Sequence, residues 1–157
     1  MIRRGAVLSA GAALLLAAST SAQQTPQPGL TAFENIAVPM ADRIEVSRLV
    51  DAGPVAVDGA RGVVVTVAGE LRGRASHDGK VGVLAIPDLA FFTNLYRSQG
   101  ILLSAAEFSA NVASGDSGYF ISKSKYTEVG FARYRLLLFN TTGAPVSENV
   151  YVYQSRN

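Results

Sequence analysis

Hydrophobic positions along this chain recur in short runs with alternating sides rather than at helical spacing. From residue 30 onward, Val, Ile, Tyr, Phe and Thr come in brief stretches broken by Gly, Pro, Asp and Asn. That is the texture of strands and turns. Arg43 to Val50 alternates, with Ile44 and Val46 on one side and Arg43, Glu45 and Ser47 on the other. Ala52-Gly53-Pro54 reads as a turn, after which Val55 and Val57 alternate into Asp58-Gly59. Gly62 to Leu71 carries the strongest strand pattern. Its Val63-Val64-Val65 is apolar on both faces, which predicts a central, covered strand. Ser76-His77-Asp78-Gly79 contains the Asp-Gly pair that tight hairpins favour, and Lys80 to Ile86 is expected to run back before Pro87-Asp88.

The middle of the chain reads two ways. Leu89 to Arg97 fits a strand or a short helix near 88–99. For a helix, Asp88 would be the N-cap and Gly100 the stop. Ile101-Leu102-Leu103 and Phe108 to Val112 are predicted strands, and Ser104 to Glu107 between them reads equally as a capped helical turn. Tyr119 to Ser122 and Gly130 to Asn140 follow as strands, the second rich in leucine at Leu136-Leu137-Leu138. Thr141-Thr142-Gly143 turns the chain. In Asn149 to Gln154, Val150 and Val152 point one way, Tyr151 and Tyr153 the other. About seven to nine short strands separated by turns predict an all-β, antiparallel sandwich rather than a barrel. No internal repeat is visible.

The N-terminus breaks this texture. Met1-Ile2-Arg3-Arg4 is positive, Gly5 to Ala18 is small and apolar around Leu14-Leu15-Leu16, and Thr20-Ser21-Ala22 is small. These are the three regions of a secretory signal peptide, with cleavage expected near Ala22. The apolar run is shorter than the roughly 20 residues a helix needs to cross bilayer hydrocarbon, and no second run of spanning length follows. With no cysteine, lipid attachment is excluded. The expected organisation is a signal at 1–22, a disordered Gln/Pro/Gly tether at 23–29 and a single β-sandwich domain at 30–157. The protein is expected in the periplasm or outside the cell, with no membrane span once the signal is removed.

Signal removal changes the charge. Of 14 Lys and Arg, Arg3 and Arg4 lie in the signal, leaving 12 against 12 Asp and Glu. A neutral chain without a basic run offers no footprint for nucleic acid. The remaining 135 residues suffice for a real core, since a chain of this size buries roughly 68% of its unfolded surface. The lack of cysteine means that packing alone must hold that core. It also excludes zinc-thiolate sites, iron–sulfur clusters and cysteine nucleophiles.

Gly115-Asp116-Ser117-Gly118 is the one motif with a catalytic look, like the nucleophile segment of trypsin-like serine proteases. His77 and Asp88 precede it in the order such an enzyme uses. Yet His77 sits in an expected turn and Asp88 follows only eleven residues later, so the motif reads as a turn. His77 with Asp78 and Glu70 lacks metal-ligand spacing, and no calcium loop is spelled out. There is no Trp to stack a sugar. Asn140-Thr141-Thr142 fits a glycosylation acceptor but reads as a hairpin turn. No catalytic residue, metal site or cofactor is expected. Five tyrosines, Tyr119, Tyr126, Tyr134, Tyr151 and Tyr153, fall in the last third. Tyr151 and Tyr153, with Arg133 and Arg135 on one face of their strand, are the candidate partner surface. An outward Arg–Tyr mixture suits contact with protein or polysaccharide. The competing readings are an inner sandwich face for the tyrosines and a solvated face for the arginines.

Val55-Ala56-Val57-Asp58-Gly59, Val65-Thr66-Val67-Ala68-Gly69-Glu70 and Val112-Ala113-Ser114-Gly115-Asp116, with Ser122, Ser124 and Tyr126 after the last, resemble the immunoglobulin-like repeats of bacterial secreted and surface proteins. Leu136 to Leu138 and Val150 to Tyr153 fit the closing strands. The resemblance covers about 60% of the mature chain, and Leu71 to Asn111 is much longer than the family's segment. It implies an Ig-like sandwich acting as a structural or binding module and carries over no catalytic residue. The expected function is an exported, non-enzymatic structural or binding module of the bacterial cell envelope, engaging protein or polysaccharide. The alternatives are a small secreted hydrolase and a fibre or coat subunit that assembles through sheet edges.

Overall fold

A computed structural model describes residues 29–156. The signal reading at 1–22, and the tether up to residue 28, lie outside the described residues. The chain forms β1 (Leu30–Val38), β2 (Val50–Ala56), β3 (Gly62–Leu71), β4 (Gly79–Pro87), α1 (Ala90–Gln99), β5 (Ala106–Val112), β6 (Gly118–Ile121), β7 (Lys125–Glu128), β8 (Arg133–Asn140) and β9 (Val146–Ser155). Valine-rich alternation dictates two sheets packed face to face. One runs β1-β9-β3, with β6 and β7 successive along the outer edge of β3; the other runs β2-β8-β4-β5. Every pairing is antiparallel. The protein is an all-β sandwich, with one short α-helix among the described residues.

The pairings show how the chain closes. β1 with β9, β2 with β8, β3 with β6 and β7, and β4 with β5 are the rungs of one long antiparallel ribbon. Rolling that ribbon brings β3 beside β9 and β4 beside β8. This is a jelly roll. An immunoglobulin sandwich keeps its first two strands adjacent in one sheet; here β1 and β2 lie in different sheets. The motifs that carried the resemblance mark where strands start and stop, which leaves partner choice open. Crossing between sheets also explains Asp78-Gly79, which joins β3 of one sheet to β4 of the other instead of turning a tight hairpin.

The main core lies between the sheets, built from alternate residues such as Val63, Val65 and Val67 of β3, Val150 and Val152 of β9, and Leu136 and Leu138 of β8. A smaller cluster around Leu71, Val81, Val112 and Val146 fills one end. The far side of the four-stranded sheet is also apolar, because Leu84, Ile86, Leu137 and Phe139 are packed under Leu49, Tyr96 and Leu102. That cover is why β4 and Leu136-Leu137-Leu138 read as apolar on both faces.

Four local expectations change. Arg43 to Val50 alternates but finds no partner strand; it forms a loop with a 3-10 turn at Val46–Arg48. Ala52-Gly53-Pro54 lies inside β2 as a bulge, with a register skip after Asp51 and Gly53 at φ 103°. Edge strands tolerate a proline there because one side needs no ladder donor. Ile101 to Leu103 is irregular, with Leu102 packed on the outer apolar cluster. In α1, Leu89 occupies the N-cap without a side-chain bond, because Asp88 is held by arginines of β8. Gly100 does end the helix, at φ 67° with its N–H donating to Tyr96 O.

Candidate functional site

Among the described residues, none forms a layer over the outer face of the five-stranded sheet. Alternation sends Tyr119 and Ile121 of β6, Tyr126 of β7, and Tyr151 and Tyr153 of β9 to this side, opposite the core residues of the same strands. Tyr119 is 87% exposed and Ile121 71%, and about half of Tyr126 and Tyr153 is open. Tyr151 is half-buried, its hydroxyl donating to Glu34 Oε1 at 3.1 Å. Burial, then the Glu34 hydrogen bond and charge, raises its phenol pKa.

Beside Tyr119 runs an open groove of about 520 Å³, with Asn35, Glu70, Arg72, Ser147 and Asn149 among its lining. A bulge in β1 shapes it. The register shifts between Phe33 and Ile36, and Asn35 takes φ 57°. Its backbone N–H donates to Asn149 Oδ1 at 2.6 Å, locking the bulge to β9. The groove therefore places amide, carboxylate, guanidinium and hydroxyl groups beside an exposed aromatic ring.

Arg133 and Arg135 lie elsewhere. They project from the outer side of the four-stranded sheet, near α1, so they do not join Tyr151 and Tyr153. Arg135 Nε donates to Asp88 Oδ1 at 3.0 Å, and its Nη1 donates to Asp51 at 2.9 and 3.0 Å. Arg133 pairs with Asp88 at 3.3 Å, and Arg97 of α1 reaches Asp51 at 3.7 Å. Burial alone would lower the Arg135 guanidinium pKa; Asp51 and Asp88 outweigh it and raise it. These charges fasten β2, β8 and the start of α1 together.

The protease-like residues are not assembled. His77 precedes β4 and Asp88 follows it, and nine residues of strand at about 3.3 Å each hold them roughly 30 Å apart. Asp88 is engaged by the two arginines, and Gly115-Asp116-Ser117-Gly118 is a turn. Asp116 N–H donates to Ala113 O at 3.1 Å, while Ala113 N–H donates to Asp116 Oδ2 at 3.0 Å. His77 Nδ1 meets Ser76 Oγ at 2.9 Å, and its buried Nε2 has no partner. Asn140 is buried: its Nδ2 donates to Ala144 O at 2.7 Å and its Oδ1 accepts from Thr142, so no glycan reaches it.

Tyr119 and Tyr126 stand out in sequence only as members of the tyrosine group. The polar side of the groove was not marked at all, since Asn35, Arg72 and Asn149 come from three separate segments. Among the described residues, no helix is long and apolar enough to cross a membrane, and no group of three His, Asp or Glu is placed to hold a metal ion. Comparison with protein-family models, curated proteins and solved structures finds no match to this chain.

Proposed function

We propose that the protein is an exported, non-enzymatic binding module of the bacterial envelope that contacts polysaccharide through the outer face of its five-stranded sheet. The observation that carries this reading is Tyr119, almost fully exposed beside a groove rich in paired hydrogen-bonding groups. A sugar ring offers an apolar C–H face that stacks on an aromatic ring. Its hydroxyls each donate and accept, which suits Asn, Glu and Arg side chains. A protein partner would favour a broader apolar centre with charge kept to the rim. Edge assembly through the five-stranded sheet is less well served, because its β1 edge is bulged and its β6–β7 edge is interrupted, and both features discourage strand addition.

The test is affinity electrophoresis through gels containing soluble envelope polysaccharides. Retardation by at least one is expected, and Tyr119→Ala should weaken it about tenfold, since stacking on one ring is worth roughly 1–1.5 kcal/mol. Equal mobility of wild type and Tyr119→Ala in every gel would sink the reading. Export has its own check. Expression from Met1 should deliver a protein whose N-terminus, on sequencing of the periplasmic or secreted fraction, begins near Gln23. A full-length chain confined to the cytoplasm would refute it.

A further inference from the structure

At one end of the sandwich, where β2, β4, β7 and β9 end and β3, β5 and β8 begin, the two sheets part around an apolar cavity of about 170 Å³. Val57, Val63, Val65, Phe108, Leu136 and Val152 supply much of its wall. Apolar cavities of about 150 Å³ hold a molecule the size of benzene. Within this lining one polar group is unsatisfied: the Thr127 hydroxyl is buried and has no hydrogen-bond partner. A buried donor–acceptor left unpaired is unfavourable. Of the other polar side chains in the lining, Ser104 and Glu128 are exposed and the Tyr134 hydroxyl already accepts from Gly130 N–H at 3.0 Å; a guest hydroxyl would satisfy Thr127 directly.

The entrance points the same way. Phe131 and Tyr134 line the cavity, and their rings meet edge to face at 6.0 Å. Phe131 continues to Phe92 at 5.9 Å, and Phe92 to Phe91 at 5.7 Å. Phe131 is itself 37% exposed, so this aromatic row borders the place where the cavity meets solvent. An ionised carboxylate on a guest would lose its hydration against these apolar walls, which disfavours an anionic guest.

We infer that this cavity is a binding site for a small, neutral, apolar molecule of about one ring, whose single hydroxyl exchanges a hydrogen bond with Thr127. The site is inside the sandwich, on the opposite side of the sheet from Tyr119, and does not depend on polysaccharide binding. Methyl NMR titration of the folded protein with phenol, benzene and benzoate tests it. Phenol is expected to give saturable shifts at Val63, Val65 and Thr127, with benzoate at least tenfold weaker. Thr127→Val should weaken phenol about tenfold and leave benzene within twofold. Filling the cavity with Ala85→Leu should abolish both. If that variant does not fold, Ala106→Leu at the same lining serves. The inference fails if phenol shifts do not saturate, if they map to the Tyr119 face, or if Thr127→Val binds phenol as wild type does.

Discussion

Replacing Glu148 with leucine is expected to stabilise the protein at pH 8 by about 2 kcal/mol or more, as removal of buried charge in favour of apolar packing often does. Glu148 lies on β9 between the inward-facing Val146 and Val150, with Ile36 and Gly69 as its cross-strand neighbours. None of its surface is exposed, and neither carboxylate oxygen has a hydrogen-bond partner. Burial raises its pKa well above the usual carboxylate range. Below the unfolded value of about 4.3, both states hold the proton and no penalty arises. Above it the unfolded chain releases the proton while the folded chain keeps it. Stability then falls by up to about 1.4 kcal/mol per pH unit until the folded group also ionises, and levels off beyond. Urea unfolding of wild type and Glu148→Leu from pH 4 to 8 isolates this group. The gap between the two should widen as pH rises. Parallel curves would show that Glu148 ionises alike in both states.

The second large effect concerns the residue opposite. Gly69→Val is expected to cost about 3 kcal/mol or more by overpacking, whereas Ala68→Val should stay within about 0.5 kcal/mol. A Cβ on Gly69 would run into the backbone O of Ser147, the Cα of Glu148 and the ring of Phe120. Phe120 is the direct cross-strand partner of Gly69 and fills the space the glycine leaves. Ala68 points to the open face. Urea midpoints decide: equal effects at the two positions would place β3 one residue out of register, which would reverse every side chain on it.

The sequence revealed those strands whose side chains must be apolar to be covered. β3, β4, β8 and β9 have valine and leucine facing a core on one or both sides, so their pattern survives without knowledge of partners. β7, with Lys125-Tyr126-Thr127-Glu128, borders solvent along one edge and reads as polar. β1 hides its alternation because the Asn35 bulge inserts an extra residue midway. Conversely, Arg43 to Val50 alternates with nothing to pair against. The candidate site was partly visible for a related reason. Tyr151 and Tyr153 alternate locally with core valines, so their outward direction follows from period two. Arg135 has the same local signature, yet its environment is set by Asp51 and Asp88, which lie 84 and 47 residues away in sequence. No local pattern reports such a partnership. The rolled order of the strands is non-local in the same sense.

β9 lies between β1 and β3 and is hydrogen-bonded to both along nearly its whole length, yet it follows all the other described strands. The larger sheet therefore has a gap at its middle until β9 arrives, and among the described residues β1 has no other ladder to join beforehand. Long-range pairing of this kind forms slowly. For a chain proposed to be exported, that delay is useful: β1 and β3 gain their shared partner only after β9 has also crossed.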